Sequence, residues 1–409
     1  MFLGNESEGE AGRREPARAG ISLSGAQTVL LLVALMFTAG GSFVAGYLAG
    51  RPERAVRLGV LEEAWRIIQE DFYYPLPSED EQVYGAIRGL LSTLNDQHTV
   101  LLPPVAAARD AAVMQGQVGG VGAIVSMTDQ NEVIVVEARR GWPAEQAGVR
   151  AGDVIVAVDG TDIGGQTLEE AVNRIRGPLG TPVTLTLRRR GVALPFDLTM
   201  TRGQINVYGQ MLQDDIAYIS FDVFNSTAPA DVRVALSRLL AESPRALILD
   251  LRGNGGGFLN EALDIADLFL PAGLIATERT SAGETRRFTA RDGDAGEQVP
   301  LVVLVDGRSA SASEIVAGAI QDRGRGVLIG ERTFGKGSVQ GLHVLSDGSQ
   351  LRVTQGAWYT PDETPIERRG DAPGGLLPDI VVEREAEPQP GADRILETAL
   401  RYIRLMDTF

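Results

Sequence analysis

The pattern of apolar and charged residues divides the chain into an N-terminal segment of membrane type and a long folded part. Residues 19–50 contain no charged side chain and are mostly apolar, and a run of this length suits one membrane-spanning helix. We expect an uncleaved transmembrane anchor at residues 26–49, preceded by a short charged tail at residues 1–18. A cleaved signal peptide is the alternative, although its apolar core is usually shorter, about 7–15 residues. Arginines flank both sides, so charge leaves the orientation open.

Helical spacing of apolar residues marks the region after the anchor, residues 52–112. Apolar side chains recur every three or four positions over Val56–Glu70, and a second helix is expected over Asp80–Leu94. Neither helix carries a group of reactive side chains. Both are therefore interpreted as scaffold.

Short strands and glycine-rich turns set residues 113–203 apart as a small β-rich domain. Gly119–Val125 opens one strand, Glu132–Val136 forms another, and Thr167–Arg176 has helical spacing. The alternation of Val183–Arg188 is typical of an edge strand.

Strands and helices alternate over residues 204–383, which predicts an α/β core. The expected strands are Ile216–Phe221, Ala246–Leu251, Leu301–Val305, Gly326–Ile329 and Leu351–Thr354, and the expected helices are Pro229–Leu240, Leu259–Leu268 and Ala312–Gln321. Residues 384–409 are expected to form a polar linker and a short terminal helix. The predicted fold class is therefore mixed α+β, with an α/β core, an inserted β-rich domain and an N-terminal transmembrane helix.

The composition excludes several kinds of chemistry. The net charge of −16 argues against a nucleic-acid binder, since phosphate contacts need clustered positive charge. The chain has no cysteine, which excludes disulfides, thiolate nucleophiles and Cys-ligated zinc. Its two histidines, His98 and His343, lie far apart in sequence and are interpreted as structural residues. We expect neither a metal nor an organic cofactor.

One lysine stands among 38 basic residues, and all the others are arginines. This residue, Lys336, lies between Gly335 and Gly337. An ammonium group can lose its proton inside a protein, whereas a guanidinium essentially cannot. Lys336 is therefore a candidate for a role that needs a neutral amine, and the alternative is a surface lysine retained by chance.

Glycine- and serine-rich turns follow two of the expected buried strands, where α/β sheets place their active sites. These turns are Asp250–Gly257 and Ser309–Glu314, and a third turn holds Lys336. The run Gly330–Lys336 also approaches the phosphate-binding P-loop pattern. However, Gly337 stands where that pattern requires a Ser or Thr to bind magnesium, and a strand rather than a helix is expected next. A nucleotide-binding loop is therefore rejected.

Ser311 begins a helix-like run and is the candidate nucleophile. A serine at a helix start lies near free backbone amides that stabilise an oxyanion, and Ser–Lys is an attested variant of the catalytic triad. To act as the base near pH 7, Lys336 needs a pKa about 3 units below its reference value, which corresponds to about 4 kcal/mol of desolvation or like-charge repulsion. The alternative is ordinary helix capping by Ser309, Ser311 and Ser313.

Two known families share these motifs. The order of runs in residues 113–203, including Gly119–Val125 and Gly152–Gly160, resembles a PDZ domain of the bacterial protease type. The motifs Asp250–Gly257, Ser311–Glu314 and Thr333–Gln340 resemble those of the carboxyl-terminal processing, or tail-specific, serine proteases. This second resemblance spans roughly residues 55–383 and includes the inserted PDZ-like domain.

The resemblance implies a role for each matching residue. Ser311 matches the nucleophile, Lys336 the general base, and Gln340 the residue that orients the lysine. The oxyanion hole corresponds to the backbone amides of Gly256 and Ala312. The PDZ-like domain would bind the free C-terminus of a substrate by strand addition. Its carboxylate-binding loop corresponds to Gly120, Val121, Gly122 and Ala123.

The implied function is that of a serine endopeptidase that cleaves protein or peptide substrates near the C-terminus, without a metal or cofactor. The resemblance also implies that the catalytic part lies outside the cytoplasmic membrane, in the periplasm or the extracellular space. An adaptor protein and a homo-oligomer are both left open. The alternative is a catalytically inactive, membrane-anchored PDZ scaffold that binds protein C-termini. The segment Leu94–Thr99 and residue Trp142 depart from the family pattern, at a turn and beside the PDZ groove.

Overall fold

The computed structural model describes residues 54–139, 142–203, 207–367, 373–383 and 393–406. The chain separates into two compact units, Met1–Gln82 and Val83–Phe409. The expected tail at residues 1–18 and the expected anchor at residues 26–49 lie outside the described residues. Of the helices within the described ranges, none is both long enough and apolar enough to cross a membrane.

The region after the expected anchor contains three helices and a short strand. These are α1 (Arg54–Asp71), α2 (Glu79–Ser92), β1 (Val100–Leu102) and α3 (Pro104–Met114). The helices expected over Val56–Glu70 and Asp80–Leu94 are therefore present, with small shifts at their ends. Helix α3 begins with Pro104, whose missing N–H is not needed in the first turn of a helix.

The β-rich region forms a sheet with its own core. Its elements are β2 (Val118–Gly119), β3 (Ala123–Met127), β4 (Val133–Ala138), α4 (Pro143–Gln146), β5 (Val154–Val158), β6 (Thr161–Asp162), α5 (Leu168–Ile175), β7 (Gly177–Pro178), β8 (Pro182–Arg188) and β9 (Phe196–Thr201). The antiparallel strand order is β3-β4-β5-β8-β9, with β6 paired to β5 and a separate β2-β7 pair. Val135, Ile155, Leu185 and Leu187 are buried at its centre.

The expectation of an edge strand at Val183–Arg188 is wrong. Strand β8 lies between β5 and β9 and is paired on both sides. The second partner is β9 (Phe196–Thr201), a strand that is not among those expected from the sequence. The edges of this sheet are formed instead by β3 and β9, which pair only with β4 and β8 respectively among the described strands.

The α/β core contains the remaining elements. They are β10 (Val207–Leu212), β11 (Ile216–Phe221), α6 (Ala228–Leu240), β12 (Ala246–Asp250), α7 (Leu259–Asp267), β13 (Gly273–Thr280), β14 (Thr285–Ala290), β15 (Leu301–Val305), α8 (Ala312–Asp322), β16 (Gly326–Gly330), β17 (Ser338–Val344), β18 (Gln350–Tyr359), β19 (Ile380–Val381) and α9 (Arg394–Met406), with short 3₁₀ turns at Gln213–Asp215 and Ala295–Glu297.

Two sheets organise this core. The larger sheet has the order β10-β11-β12-β15-β16-β19, and its strands are parallel from β11 onward. The smaller sheet has the order β1-β18-β13-β14, with β17 also paired to β18. The hairpin β13–β14 is an addition to the strands expected from the sequence.

Helices cover both faces of the parallel strands. Leu247, Leu249 and Val303 pack with the buried sides of α6, α7 and α8, while Ile248 and Val302 pack against the apolar side of α9. Because alternate residues of one strand face opposite layers, both sides of β12 and β15 are buried. This explains the uninterrupted apolar runs in their sequence.

The loops that follow β12 and β15 meet at one end of the parallel sheet. The two strands are direct neighbours, with Asp250 paired to Leu304. The N–H of Ala310 donates to the carbonyl oxygen of Asn254 at 3.1 Å, joining the loop after β15 to the loop after β12. The sheet therefore brings the glycine-rich and serine-rich turns together at its carboxyl edge.

Candidate active site

The loop after β12 needs glycine at two successive positions. Gly256 and Gly257 have φ angles of +101° and +152°. Residues with a side chain rarely adopt such positive φ angles. A Cβ atom on Gly256 would lie 2.8 Å from Ser311 Cβ, and one on Gly257 would lie 2.3 Å from Phe224 O. The glycines thus allow the loop backbone to lie directly against Ser311.

Ser311 stands at the N-terminus of α8 in a strained backbone conformation. Its φ and ψ angles are 54° and −113°, a sparsely populated combination that persists only where the surrounding structure enforces it. Its N–H donates to Oε2 of Glu314 at 2.8 Å. Strain of this kind is found most often at functional sites. It therefore favours a functional role for Ser311 over a purely capping one.

The neighbouring serines have structural partners. The Ser309 hydroxyl donates to Leu251 O and the Ser313 hydroxyl to Asn254 O, each at 2.8 Å. Both residues are fully buried. Of the three serines, Ser311 lines the cavity described next.

A cavity of about 610 Å³ opens at the carboxyl edge of the sheet. Its walls include all the residues that the sequence assigns to catalysis: Ser311, Lys336, Gln340, Gly256 and Ala312. The structure thus brings together residues from loops that are far apart in the chain. The predicted carboxylate-binding loop at residues 120–123 is not part of these walls, although Gly119 and Val118 are.

The two predicted oxyanion donors differ in their hydrogen bonding. Ala312 is the first residue of α8, where backbone N–H groups have no partner within the helix, and its N–H donates to no acceptor in the described ranges. The N–H of Gly256, by contrast, donates to Oδ1 of Asn254 at 2.9 Å. The role of Gly256 stays a prediction that requires this bond to open, while the amide of Ala312 is available.

The pKa of Lys336 is shifted in the direction that a base requires. Burial, followed by the positive charge of Arg352, lowers this pKa, and the carboxylates of Glu367, Asp110 and Asp96 act in the opposite direction. The Nζ atom has no hydrogen-bond partner in the described part of the chain. Deprotonation of Lys336, in the cavity that Ser311 also lines, is therefore easier than for an exposed lysine.

Gln340 is held by a chain of hydroxyl groups. Its Nε2 donates to Thr354 Oγ1 at 2.8 Å and to Ser338 Oγ at 3.2 Å, and Thr354 Oγ1 donates to Asp96 Oδ2 at 2.6 Å. The Oε1 atom of Gln340 is buried without a partner in the described ranges. This oxygen is the group that could accept a hydrogen bond from a protonated Lys336.

Asp96 and Thr354 support Gln340 from outside the cavity wall, and the sequence did not reveal them. Burial alone would raise the pKa of Asp96, but hydrogen bonds from Thr354, Thr99 and His98 outweigh this effect and lower the pKa. Asp96 belongs to Leu94–Thr99, the segment that departs from the family pattern. A charged Asp96 that accepts these bonds fixes the position of Thr354 and, through it, of Gln340.

Comparisons with known proteins agree with this geometry. A model of peptidase family S41 matches residues 215–382, and a PDZ domain model matches residues 134–189. A carboxy-terminal-processing protease of Bartonella bacilliformis is 39% identical over 319 residues, which cover 76% of this chain and 72% of that protein. The chain belongs to this protease family. It is therefore a serine-type C-terminal processing peptidase with a PDZ domain, and the resemblance seen in the sequence is confirmed.

Other relatives of the protease extend the same conclusion. The carboxy-terminal processing protease CtpA of Bacillus subtilis is 32% identical over 353 residues, or 84% of this chain and 75% of that protein. A solved putative S41 protease from Bacteroides fragilis shares the fold with a TM-score of 0.56 at 17% identity, over 82% of this chain and 94% of that one.

The predicted carboxylate-binding loop of the PDZ domain lies against a tryptophan. Gly122 has a φ angle of +73°, and a Cβ atom there would lie 2.4 Å from Cε3 of Trp142. Trp142, the second departure from the family pattern, is buried and fills the space beside the loop. The N–H of Gly120 donates to Gly203 O at 3.0 Å, so this amide is already occupied. Of the four predicted loop residues, Gly120 is thus the least suited to bind a carboxylate.

The PDZ domain adjoins the active-site cavity of the protease. The carboxylate of Asp222 lies 3.4 Å from Nη2 of Arg139 and 3.9 Å from Nη2 of Arg176. The ring of Trp142 lies 6.0 Å from that of Tyr208 on β10. Arg176 and Asp222 are also part of the cavity walls, so the PDZ domain contributes a residue directly to the cavity wall.

Proposed function

We propose that this protease cleaves protein substrates near their C-terminus with Ser311 as the nucleophile and Lys336 as the general base. The observation that carries the proposal is that both residues line one cavity, where burial lowers the pKa of the lysine. The available N–H of Ala312 supports it, because an oxyanion formed on the substrate carbonyl would need such a donor beside the nucleophile.

The reaction would proceed in two steps. Ser311 Oγ bonds to the scissile carbonyl carbon while its proton passes to Lys336 Nζ. The resulting oxyanion is stabilised by the Ala312 N–H, and by the Gly256 N–H once its bond to Asn254 opens. The C–N bond then breaks, and the proton moves from Lys336 to the leaving amine. Water, activated in turn by Lys336, hydrolyses the ester and restores Ser311.

Gln340 would orient the lysine during the proton transfers of both steps. Its buried Oε1 supports this role, since the oxygen lacks a partner in the described ranges and a protonated amine would supply one. Gln340 would then stabilise the ammonium form that exists within each step, after Lys336 takes up a proton and before it releases it.

The PDZ domain would bind the free C-terminus of the substrate. Strand β3 is an edge strand and follows the glycine loop directly, which suits the addition of an extended peptide with its carboxylate at the loop. Val121, Gly122 and Ala123 would then supply the carboxylate-binding amides.

The protease would be anchored in the cytoplasmic membrane by residues 26–49, with its catalytic part on the extracytoplasmic side. The uncharged run at residues 19–50 supports this arrangement. Digestion of intact cells or spheroplasts by an added protease tests it, because an extracytoplasmic catalytic part is accessible and an intracellular one is protected.

Cleavage of an unstructured protein and of C-terminal peptides tests the dyad. Ser311→Ala, Lys336→Ala and Lys336→Arg should each lower kcat by about 10³-fold or more, because arginine cannot act as a base. Ser309→Ala and Ser313→Ala are matched controls, which should lose stability but retain turnover. Turnover like that of the wild type in Lys336→Arg would refute the mechanism. An inactive wild-type protein that still binds C-terminal peptides would indicate the scaffold function instead.

A further inference from the structure

Glu278, on β13, is a buried carboxylate in the wall of the active-site cavity. Only 5% of its surface is exposed, and it lines the same cavity as Ser311 and Lys336. Its carboxylate accepts no hydrogen bond from any residue in the described ranges. Buried carboxylates are normally hydrogen-bonded, since an ion removed from water without such partners is unfavourable. Glu278 is therefore an acceptor without a donor.

The other carboxylates in the cavity wall have donors. Asp110 accepts a hydrogen bond from Arg352, and Asp222 accepts one from Arg139 at 3.4 Å. For Glu278, the described residues supply a single ion pair, to Nη1 of Arg286 at 3.7 Å. This distance is well beyond the 2.7–2.9 Å of a charge-assisted hydrogen bond.

Arg286 is a weak partner for a second reason. It lies directly across from Glu278 on β14, but its side chain is 61% exposed and is shared with Glu284 at 3.6 Å. An exposed arginine contributes little to an ion pair, because water screens its charge. The cross-strand pair therefore leaves the carboxylate of Glu278 able to accept hydrogen bonds from a group in the cavity.

Two apolar side chains lie near Glu278 in the cavity wall. Trp358 is its direct neighbour on β18, and Ile315 lies one helical turn beyond Ser311 on α8, which packs against β13. Both side chains line the cavity. A substrate side chain that enters here from the scissile bond would pass between apolar surfaces and end at a carboxylate.

We propose that Glu278, Ile315 and Trp358 form a subsite for a basic side chain of the substrate, at the residue that precedes the scissile bond. The ammonium or guanidinium group donates hydrogen bonds to Glu278, and its aliphatic stem contacts Ile315 and Trp358. The inference rests on the proposed function, because it assigns a substrate preference to the same site.

A set of fluorogenic peptides that share one sequence and C-terminus tests the subsite. The peptides differ only in the residue before the cleaved bond, which is Arg, Lys, Met or Glu. Wild-type protease should have a kcat/KM for the Arg and Lys peptides that exceeds the value for the Met peptide by about tenfold or more. Glu278→Gln should abolish this preference, and Glu278→Lys should shift it toward the Glu peptide.

Two control variants separate a subsite from a structural cross-strand pair. Glu284→Gln, at an exposed carboxylate that also pairs with Arg286, should leave the preference unchanged. Arg286→Gln should increase the preference for basic residues, since it removes the competing cation. If Glu278→Gln changes the melting temperature but not the ratio of kcat/KM values, Glu278 is only a cross-strand partner and the inference is wrong. If the wild type cleaves none of the peptides, the proposed function fails instead.

Discussion

Ser311 and Lys336 donate their backbone N–H groups to the same atom, Oε2 of Glu314, at 2.8 and 2.9 Å. The other oxygen of Glu314 accepts hydrogen bonds from Thr333 Oγ1 at 2.5 Å and from Gly335 N at 2.7 Å. Glu314 is fully buried on the first turn of α8. One carboxylate therefore fixes the backbone of the proposed base relative to that of the proposed nucleophile.

Replacing this carboxylate should impair turnover more than substrate binding. Glu314→Gln substitutes an NH₂ group for one acceptor oxygen, so two of the four donors lose their partner. Each unsatisfied buried donor corresponds to about 1–3 kcal/mol, and we expect kcat to fall by about 10- to 100-fold with a smaller change in KM. Steady-state kinetics at a temperature where the variant is folded by circular dichroism measure this effect.

Glu242→Gln is the matched control for this variant, because Glu242 is exposed just after the end of α6. It should leave both kinetic constants unchanged. A Glu314→Gln protein that melts at a lower temperature but turns over at the full rate would show that Glu314 stabilises the fold without positioning the dyad.

The pH dependence of cleavage should report the state of Lys336. Burial and the charge of Arg352 lower the pKa of this lysine, and only the neutral amine accepts a proton from Ser311. Therefore kcat/KM should rise with pH through the lowered pKa and level off below the ordinary pKa of lysine. Arg352→Gln removes the positive charge and releases Asp110, and both changes raise the pKa of Lys336.

The rising limb of the Arg352→Gln profile should consequently move to higher pH. Arg233→Gln, an exposed substitution on α6, serves as the control and should leave the profile in place. An Arg352→Gln profile that moves to lower pH, or a wild-type rate that falls as pH rises through this range, would contradict a neutral lysine base.

The proposed nucleophile and base could be predicted from the sequence, whereas the residues that hold them in position could not. Lys336 stands out as the single lysine, and Ser311 stands out at a helix start after a buried strand. Asp96 and Thr354 meet across 258 positions of sequence, and nothing local in either segment indicates the other. Glu314 is similar, because in sequence it reads as an ordinary helix-capping residue.

The same distinction holds for the fold. Strands β12 and β15 are buried on both faces and give continuous apolar runs that sequence patterns detect. The hairpin β13–β14 mixes apolar residues with exposed arginines and threonines, so its alternation is too weak to identify it. Strand β9 is different, since Phe196–Thr201 alternates strictly and could have been recognised from its sequence.

Gln340 should depend on the hydroxyl of Thr354. Thr354→Val keeps the shape of the side chain but removes the acceptor for Gln340 Nε2 and the donor to Asp96. With about 1–3 kcal/mol for each buried partner left unsatisfied, we expect a 10- to 100-fold decrease in kcat. Thr354→Ser retains the hydroxyl and should recover most of the activity.

The contrast between the valine and serine variants distinguishes hydrogen bonding from packing at this position. Thr199→Val, on β9 of the PDZ domain, removes a hydroxyl that pairs with Thr184 and should leave kcat unchanged. Equal activity of Thr354→Val and Thr354→Ser would show that the hydroxyl chain does not position Gln340.

The contact between Gly122 and Trp142 should determine the stability of the PDZ carboxylate loop. Gly122→Ala introduces a Cβ atom 2.4 Å from Trp142 Cε3 at a φ angle of +73°, so both backbone strain and a steric clash follow. Gly148→Ala is the matched control. Gly148 has a φ angle of +92°, and a Cβ atom at this position would have no neighbour within 4 Å, so the variant suffers only the strain, about 1 kcal/mol.

Binding of a fluorescent C-terminal peptide to the full-length Ser311→Ala protein measures the effect of both substitutions. The affinity should weaken clearly in Gly122→Ala and little in Gly148→Ala, because only the first alanine collides with a buried ring. Combining Gly122→Ala with Trp142→Ala should restore part of the binding, since the clash is then removed. Equal losses of affinity in the two single variants would show that Trp142 does not constrain the loop.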